Sequence, residues 1–306
     1  MKVPTISRSG RLRPTISAAL IVAAVSSFGC SAREPRPSAS IEVIRDLTYA
    51  ERDDTELHAD IYRPTDGVTH PGVLVVHGGA WQRGKKWHMA RIARQLAEHG
   101  YVAVSIEYRL APRYRFPAQV YDCKEAVRWM RRNATRLHID PEHIGGFGYS
   151  AGGHLVSLLA TTDGDDGLEG SDNVGDPPSR IEAAVAGAAP TDLRRFIYNP
   201  AFFSFLGGSK TALPTTYVTA SPITFVTPDD PPMFFYHGRH DWMVDVSQSQ
   251  IMVSSLLRAG VPVEYHEGGG GHLSTFLFDD SAVNDAVAFL DRWLKEPENQ
   301  IAATAK

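Results

Sequence analysis

The pentapeptide at residues 148–152, Gly-Tyr-Ser-Ala-Gly, constrains the fold of this chain more than any other feature. Residues 142–147 before it have the pattern of a strand and residues 151–162 after it that of a helix, so a sharp strand-to-helix turn is predicted. Such a turn strains its central serine and presses positions 148 and 152 against neighbouring backbone, where only glycine fits. The same pattern also arises by chance in glycine-rich loops, so a nucleophilic role for Ser150 depends on further motifs.

A second glycine motif follows a short apolar run. Residues 71–76 are typical of a strand buried on both faces, and residues 77–81 after them read His-Gly-Gly-Ala-Trp. A glycine-rich turn can hold backbone N–H groups ready to stabilise a negative oxygen, and the predicted donors are Gly79, Ala80 and, from the next motif, Ala151. A phosphate-binding turn is the alternative, but the glycine and lysine spacing of phosphate-binding loops does not follow.

A serine nucleophile needs an acid and then a histidine further along the chain. Residues 231–237 form another apolar strand pattern that leads to Asp241, and residues 261–266 lead into a glycine run that ends at His272. We expect Asp241 to orient His272, which then accepts the proton of Ser150.

Each of these assignments has a rival in the sequence. Asp245 follows Asp241 closely, but it also has the position of an ordinary helix cap. His240 and His266 compete with His272 for the role of base, although His266 falls within a strand pattern. Most of the 12 histidines are expected to be structural, and neither a metal site nor a cofactor is predicted.

The His-Gly-Gly-x-Trp loop, the Gly-x-Ser-x-Gly turn and the later acid and histidine resemble those of α/β-hydrolase esterases. The resemblance covers residues 42–296 and points to hormone-sensitive-lipase-like carboxylesterases and to bacterial acetyl-xylan and feruloyl esterases. Ala80 and Tyr149 stand where the lipase-like branch usually has glycine and aspartate, which favours the xylan-esterase and formamidase side. The resemblance implies an α/β-hydrolase fold, with a mostly parallel central sheet, flanking helices and a small cap insertion.

One catalytic domain is predicted over residues 41–298. With 43% hydrophobic residues the chain can bury one large core, and strand and helix signals alternate along it. Residues 190–230 separate two strand patterns, which is long for a simple connection and typical of a lid or binding loop. The aromatic residues of this insertion include Phe196, Tyr198, Phe202, Phe203 and Phe205.

Four residues are predicted to bind substrate. Trp81 and Tyr149 adjoin the glycine loop and the nucleophile, whereas Phe202 and Phe203 belong to the insertion, where aromatic rings could line an apolar or sugar-stacking cleft. The alternative is that the aromatic residues of the insertion only attach it to the sheet. His77 is expected to brace the glycine loop by hydrogen bonding rather than to transfer protons.

Residues 1–30 have the pattern of an export signal. Basic residues precede an apolar stretch at residues 16–28 that is too short to span a membrane, and a polar linker follows at residues 31–40. Residues 27–30 resemble a bacterial lipoprotein cleavage box, which would make Cys30 a lipid-bearing first residue; ordinary cleavage after Ala32 is the alternative. Either route exports the protein to the bacterial cell envelope, the periplasm or the medium, and membrane contact is expected only through a lipid at Cys30.

The predicted chemistry is hydrolysis of short-chain acyl esters, with a small-molecule ester or an acylated carbohydrate as substrate. Two alternatives remain open: an amide hydrolase, either kynurenine-formamidase-like or a peptidase, and a binding module that keeps the fold without the reaction. The complete set of Ser150, Asp241 and His272 favours an enzyme over a binding module. A formal net charge of −4 provides no basic surface, so no nucleic-acid partner is predicted.

Overall fold

A computed structural model describes residues 40–170, 175–196 and 199–295. The predicted export signal with Cys30, the linker up to residue 39, Tyr198 and the last residues of the predicted catalytic domain lie outside these ranges. Within the three ranges, no helix has both the length and the apolar character that crossing a bilayer requires.

Eight strands form one sheet in the described part of the chain. They are β1 Ile41–Arg52, β2 Thr55–Pro64, β3 His70–Val76, β4 Val102–Ile106, β5 Ile139–Tyr149, β6 Ala183–Gly187, β7 Met233–Gly238 and β8 Val263–Gly268. Their order in the sheet is β1-β2-β4-β3-β5-β6-β7-β8. The β1–β2 and β2–β4 pairs are antiparallel and every other pair is parallel, which is the mostly parallel sheet expected from the sequence.

The parallel strands determine where the chemically important residues lie. Strands β3, β5, β7 and β8 run in the same direction, so the loops that follow them emerge at the same edge of the sheet. Gly79 follows β3, Ser150 follows β5, Asp241 follows β7 and His272 follows β8. Residues that are far apart in the sequence therefore meet at the carboxyl edge.

Helices cover both faces of the sheet. The α-helices in the described ranges are α1 Ala90–Glu98, α2 Ala118–Arg132, α3 Ala134–Leu137, α4 Ala151–Thr161, α5 Pro200–Leu206, α6 Pro214–Thr219, α7 Ser247–Ala259, α8 His272–Phe278 and α9 Asp280–Leu290. Strand side chains alternate between the faces, so Leu74 and Val76 join the core layer of α2, α4 and α7, whereas Val73 and Val75 join that of α1 and α9. Both layers are fully buried at these positions.

The insertion between β6 and β7 folds as short helical segments. Besides α5 and α6 it contains single 3₁₀ turns at Leu193–Arg195 and Pro222–Phe225. The side chains of Phe202 and Phe205 are buried in the layer of α2, α4 and α7. The insertion therefore packs against one face of the sheet, and its aromatic residues attach it there.

Candidate active site

Ser150 lies at the turn between β5 and α4. Its φ of 56° is in the left-handed region that a serine rarely adopts, and its N–H donates to the carbonyl oxygen of Gly187 at 2.7 Å. A Cβ atom on Gly148 would come 2.2 Å from the carbonyl oxygen of Gly152, and one on Gly152 would come 2.0 Å from that of Val76. The two glycines therefore allow the strand and the helix to approach closely enough for this strained turn to form.

Ser150, His272 and Asp241 form one connected chain of contacts. His272 Nε2 lies 2.9 Å from Ser150 Oγ, and His272 Nδ1 lies 2.6 Å from Asp241 Oδ2. A carboxylate oxygen only accepts, so Nδ1 donates to Asp241, and Nε2 of the neutral ring is left to accept the hydroxyl hydrogen of Ser150. The structure thus brings together the three residues that the sequence singles out as acid, base and nucleophile.

Donors hold both carboxylate oxygens of Asp241. Oδ1 accepts the backbone N–H groups of Met243 and Val244, each at 2.9 Å. Oδ2, which accepts from His272, also lies 3.2 Å from Nε2 of His237. Burial acts to raise the pKa of the Asp241 carboxyl, but the hydrogen bonds from His237 and His272 outweigh it and hold this pKa well below its ordinary value. Asp241 is therefore ionised at neutral pH.

Sequence reasoning missed His237, which lies near the end of β7. Its side chain is fully buried, with Nε2 2.9 Å from the carbonyl oxygen of Val244 and Nδ1 2.8 Å from the hydroxyl of Ser249. The available signal was a single histidine at the end of an otherwise apolar strand, four residues before Asp241. Such a position places a polar ring next to the acid.

The rival residues lie elsewhere. Asp245 Oδ1 accepts a backbone N–H at 2.9 Å at the start of α7, which is the cap role considered for it. His240 Nδ1 lies 2.9 Å from the carbonyl oxygen of Gly269, and His266 Nδ1 pairs with Asp285 at 2.8 Å. None of these contacts, in the part of the chain that the structure describes, reaches the nucleophile.

The loop after β3 carries two backbone N–H groups beside the cleft that contains Ser150. Gly79 and Ala80 line the same cleft as Ser150, and no acceptor within the described ranges bonds to the N–H of either residue. The carbonyl oxygen of Gly79 accepts the N–H groups of Gln82 and Arg83 at 3.1 Å each, which closes the segment into a tight turn. We call residues 77–84 the donor loop.

Ala151 supplies a third N–H group directly after the nucleophile. It is the first residue of α4, where an α-helix leaves its leading N–H groups without acceptors inside the helix. The aligned peptide dipoles of α4 also favour negative charge at this end. Two of the three predicted donors therefore share a cleft with Ser150, and the third follows Ser150 directly at the start of α4.

His77 braces the donor loop from within the protein. Its Nδ1 donates to the carbonyl oxygen of Gly78 at 2.7 Å, and its ring stacks on Tyr108 with the ring centroids 4.3 Å apart. Tyr108 in turn donates its hydroxyl to the carbonyl oxygen of His77. Burial lowers the pKa of His77 to about 4, so the ring is neutral and serves as a fixed hydrogen-bonding group.

His154 on α4 holds the other end of the donor loop. Its Nδ1 accepts the indole N–H of Trp81 at 3.2 Å, and its Nε2 donates to the carbonyl oxygen of Ala220 at 2.8 Å. Burial lowers the pKa of His154 to about 4 as well. One neutral ring therefore ties the donor loop to the insertion.

Trp81 does not line the cleft, contrary to the sequence prediction. Its side chain is 2% exposed and stacks on Phe205 of the insertion, with ring centroids 4.3 Å apart. It belongs to the core layer of α2, α4 and α7. The indole anchors the donor loop to the protein interior, so its influence on the site is through the position of the loop backbone.

A mostly apolar cleft of about 440 Å³ opens at Ser150. Besides Ser150, His272 and the backbone of the donor loop, its polar lining residues are Arg83, His88 and Tyr149. The lining residues are Gly78, Gly79, Ala80, Arg83, Gly84, His88, Met89, Tyr149, Ser150, Met243, His272, Leu273 and Phe276. No three His, Cys, Asp or Glu side chains in the described ranges form a group that could hold a metal ion.

Tyr149 is the one predicted substrate-binding residue that the structure places in this cleft. Its ring lies 4.8 Å from that of Phe276 and 5.3 Å from that of His272. Its hydroxyl donates to the backbone carbonyl oxygen of His272. Tyr149 thus forms a wall of the cleft and also fastens the loop that carries the histidine.

Phe202 and Phe203 lie away from the cleft, which corrects the prediction for both. Phe202 is buried against Trp81, whereas Phe203 is 51% exposed, and both border a separate small hollow. The reason is the face that the insertion covers: Phe202 belongs to the layer of α2, α4 and α7, but Met89 and Tyr149 of the cleft belong to that of α1 and α9.

Four apolar residues of the cleft were not predicted: Met89, Met243, Leu273 and Phe276. Leu273 directly follows the histidine of the site, and Met243 comes two residues after its acid. For Leu273 and Met243, closeness in the sequence to the predicted histidine and acid was the available signal. Met89 and Phe276 are brought in by the fold alone.

The sheet order, the strained turn at Ser150 and the acid and histidine on two later loops define an α/β-hydrolase fold. The structure thereby confirms the fold class expected from the motifs. The chain belongs to the BD-FAE family, whose model matches residues 59–256.

Similar known proteins carry esterase names. LipM of Mycobacterium tuberculosis, named a probable carboxylic ester hydrolase, is 33% identical over 257 residues, which are 78% of this chain and 59% of LipM. A solved structure of a truncated carbohydrate esterase from gut microbiota has 26% identity and a TM-score of 0.77, and the match covers 86% of this chain and 99% of that one. Esterase 2 of Thermogutta terrifontis has 25% identity and a TM-score of 0.70, over 83% of this chain and 94% of its own. The chain spans little more than half the length of the curated relatives it matches.

Proposed function

We propose that this protein is a carboxylic ester hydrolase that works through a covalent acyl-enzyme. The observation that carries the proposal is the contact chain from Asp241 through His272 to Ser150, which ends at an open cleft beside unpaired backbone donors. The esterase names of the similar proteins support the same reaction class.

In the first step, the Oγ atom of Ser150 attacks the ester carbonyl carbon while its proton passes to Nε2 of His272. Asp241 keeps Nδ1 of His272 protonated and stabilises the imidazolium that forms. Because the Asp241 carboxylate is already held by four donors, it needs no rearrangement when this charge develops.

The tetrahedral adduct carries a negative oxygen, which the N–H groups of Gly79, Ala80 and Ala151 would stabilise; one such donor is typically worth roughly 3 kcal/mol of barrier. The bond to the alcohol oxygen then breaks, and the leaving oxygen takes the proton from His272. Water completes the cycle by giving a proton to His272 and attacking the acyl carbon. Collapse of this second adduct returns the proton to Ser150 and releases the carboxylic acid.

The substrates we propose are short-chain acyl esters, with acylated carbohydrates as the natural class. The cleft is within the usual range for small-molecule sites, and apolar side chains such as Met89 and Phe276 suit a small acyl group. Arg83 and His88 can contribute hydrogen-bond donors for the oxygen-rich part of a carbohydrate. The similarity to a carbohydrate esterase supports this choice.

We also propose that the protein is exported and bears a lipid at Cys30. The support is the basic, apolar and small-residue order of residues 1–30. Mass spectrometry of the mature protein distinguishes the two routes, because lipoprotein processing leaves a modified Cys30 at the amino terminus and ordinary cleavage after Ala32 leaves Arg33. Cys30→Ala should abolish membrane association; a membrane-bound Cys30→Ala protein would contradict the anchor.

Replacement of the nucleophile tests the proposed reaction. Ser150→Ala should reduce hydrolysis of p-nitrophenyl acetate by roughly 10⁶-fold, the scale seen when a serine nucleophile is removed from a protease. It should also abolish labelling by a fluorophosphonate probe, while circular dichroism shows an unchanged fold. Retention of most of the activity or labelling would falsify the assignment of Ser150.

A rate series tests the substrate class. We would compare p-nitrophenyl esters from acetate to laurate with acetylated xylan, methyl ferulate and N-formylkynurenine. A steep fall beyond butyrate, together with release of acetate from xylan, supports the proposal. A rise toward laurate would indicate a lipase, and faster turnover of N-formylkynurenine than of any ester would indicate an amide hydrolase.

A further inference from the structure

His237 is a buried histidine that the proposed reaction does not use directly. It lies on β7, its side chain is completely buried, and both ring nitrogens have partners. Nε2 lies 2.9 Å from the carbonyl oxygen of Val244 and 3.2 Å from Asp241 Oδ2. Nδ1 lies 2.8 Å from the hydroxyl oxygen of Ser249 on α7.

The partners of His237 fix where its hydrogen lies. A backbone carbonyl oxygen and a carboxylate oxygen can only accept hydrogen bonds, so Nε2 must carry a hydrogen in every protonation state of the ring. In the neutral ring, Nδ1 then accepts the hydroxyl hydrogen of Ser249. The ring therefore always presents an N–H group to the acid of the site.

Nε2 of His237 approaches the carboxylate oxygen that matters most, Asp241 Oδ2, to 3.2 Å. Asp241 Oδ2 also accepts from Nδ1 of His272, whereas Oδ1 is satisfied by two backbone N–H groups. Two histidines thus share one oxygen inside a buried environment, where hydrogen bonds strengthen or weaken one another. Rotation of the carboxylate would break several of these bonds at once.

We infer that His237 is a positioning residue for the reaction: through Asp241 Oδ2 it sets the orientation of the carboxylate that in turn orients His272. This inference rests on the proposed function, in which His272 is the base. Outer partners of metal-bound histidines typically change activity by roughly 10- to 100-fold when they are removed, and we expect an effect of this size here.

Two substitutions distinguish the loss of the N–H donor from the loss of the volume of the ring. His237→Leu removes the N–H group, and His237→Gln can place an amide N–H near the position of Nε2. We expect His237→Leu to lower kcat for p-nitrophenyl acetate by roughly 10- to 100-fold with KM changed less than about twofold, and His237→Gln to restore much of the rate. Ser105→Ala is the matched control, because Ser105 is equally buried and donates to a backbone carbonyl oxygen away from the acid.

Proton NMR supplies a measurement that would not change if His237 had a purely structural role. The hydrogen between His272 Nδ1 and Asp241 Oδ2, atoms 2.6 Å apart, should give a resonance far downfield. Loss of the competing donor in His237→Leu should move this resonance, while Ser105→Ala leaves it in place. An unchanged resonance together with an unchanged kcat would overturn the inference.

A double-mutant cycle tests whether His237 acts through Asp241. In an Asp241→Ala background, His237→Leu should have little further effect on kcat, because the group that it positions is gone. The same loss in both backgrounds would overturn the inference. If His237→Leu does not fold, Ser249→Ala replaces it, with an expected loss of roughly fivefold for one hydrogen bond to the ring; no loss would count against the inference. Fluorophosphonate labelling of the unaltered protein distinguishes failure of this inference from failure of the proposed function, since absence of labelling would contradict the acyl-enzyme reaction itself.

Discussion

The donor loop and the loop that carries the acid both depend on buried histidines, but the histidines have different partners. On the donor-loop side, His77 and His154 bond to backbone carbonyls and an indole, and burial keeps both rings neutral. On the acid side, His237 and His272 bond to one carboxylate. Burial among neutral partners makes a histidine a fixed structural group, whereas a buried histidine beside Asp241 directs its N–H toward an ionised carboxylate.

Of the substitutions that compare the two sides, the one that removes the carboxylate of Asp241 should have the largest effect. Asp241→Asn should lower kcat by roughly 10⁴-fold, the loss measured when a serine protease loses the carboxylate that orients its histidine. Asp245→Asn is the matched control and should retain nearly the full rate, because Asp245 caps α7. Kinetics with p-nitrophenyl acetate decide between them. A large loss in Asp245→Asn with none in Asp241→Asn would reverse the assignment of the acid.

The two sides also differ in which aromatic residues line the cleft at Ser150. Phe276 on α8 lines the cleft, whereas Phe203 on α5 belongs to the insertion behind the donor loop. Phe276→Ala should lower kcat/KM for p-nitrophenyl butyrate by roughly 10-fold or more, the scale of lost apolar contacts in a substrate pocket. Phe203→Ala should change it by less than about twofold, since this half-exposed ring is outside the cleft. Equal losses in the two variants would indicate that the insertion contributes to the substrate site after all.

A smaller effect is expected on the donor-loop side, and it should fall on stability. His154→Leu leaves the Trp81 indole N–H and the Ala220 carbonyl oxygen buried without partners, so the free energy of unfolding should fall by about 1–3 kcal/mol. Urea denaturation measures this change. His143→Leu is the control, because His143 is partly exposed and its ring pairs with the surface carboxylate of Asp140. A stable His154→Leu protein would show that the Trp81 anchor is dispensable.

When the pH is lowered, the two sides should lose their contributions to the free energy of unfolding in different pH ranges. The pKa of His154 is about 4 in the folded protein and about 6.5 in an unfolded chain, so between these values the unfolded chain binds more protons. The free energy of unfolding should therefore decrease as pH falls from about 6.5 toward 4, by up to roughly 1.4 kcal/mol per pH unit for each such histidine. His77 adds a second contribution of the same sign.

The Asp241 carboxylate loses its contribution to stability at a lower pH than the two histidines do. The pKa of Asp241 is held below its ordinary value, so the stability that it contributes is present above about pH 4 and is lost only as pH falls further. Urea unfolding at several pH values between about 7 and 5 should show the slope from the histidines, and His154→Leu should reduce that slope. An identical slope in the variant would contradict the buried, neutral state of His154.

The sequence was informative wherever chemistry requires particular residues at particular positions. The turn at Ser150 needs glycine on both sides, and the loop after β3 needs glycine to expose its N–H groups, so both could be predicted with their strands. The choice of Asp241 over Asp245 agrees with the contacts found, because the position of Asp245 already suggested a helix cap. Parallel strands then bring these loops to one edge without further information.

The sequence was much less informative about the walls of the cleft. An aromatic residue in a long insertion can face either side of a sheet, and nothing local to Phe202 indicated which. Trp81 adjoins the donor loop in the sequence, yet its side chain turns into the core, and its contact with Phe205 depends on the packing of α5. Met89 reaches the cleft from a different segment altogether. Such placements follow from tertiary packing, which no motif records.

The double role of Tyr149 has a practical consequence for anyone who wishes to broaden the range of acyl groups accepted in the proposed reaction. Its ring lines the cleft, while its hydroxyl donates a hydrogen bond to the backbone carbonyl oxygen of His272. Enlarging the cavity at position 149 would loosen the proton acceptor along with the wall, so selectivity and turnover would change together. Leu273 and Phe276 are the better places to begin such engineering, because their side chains shape the opening without fastening the base.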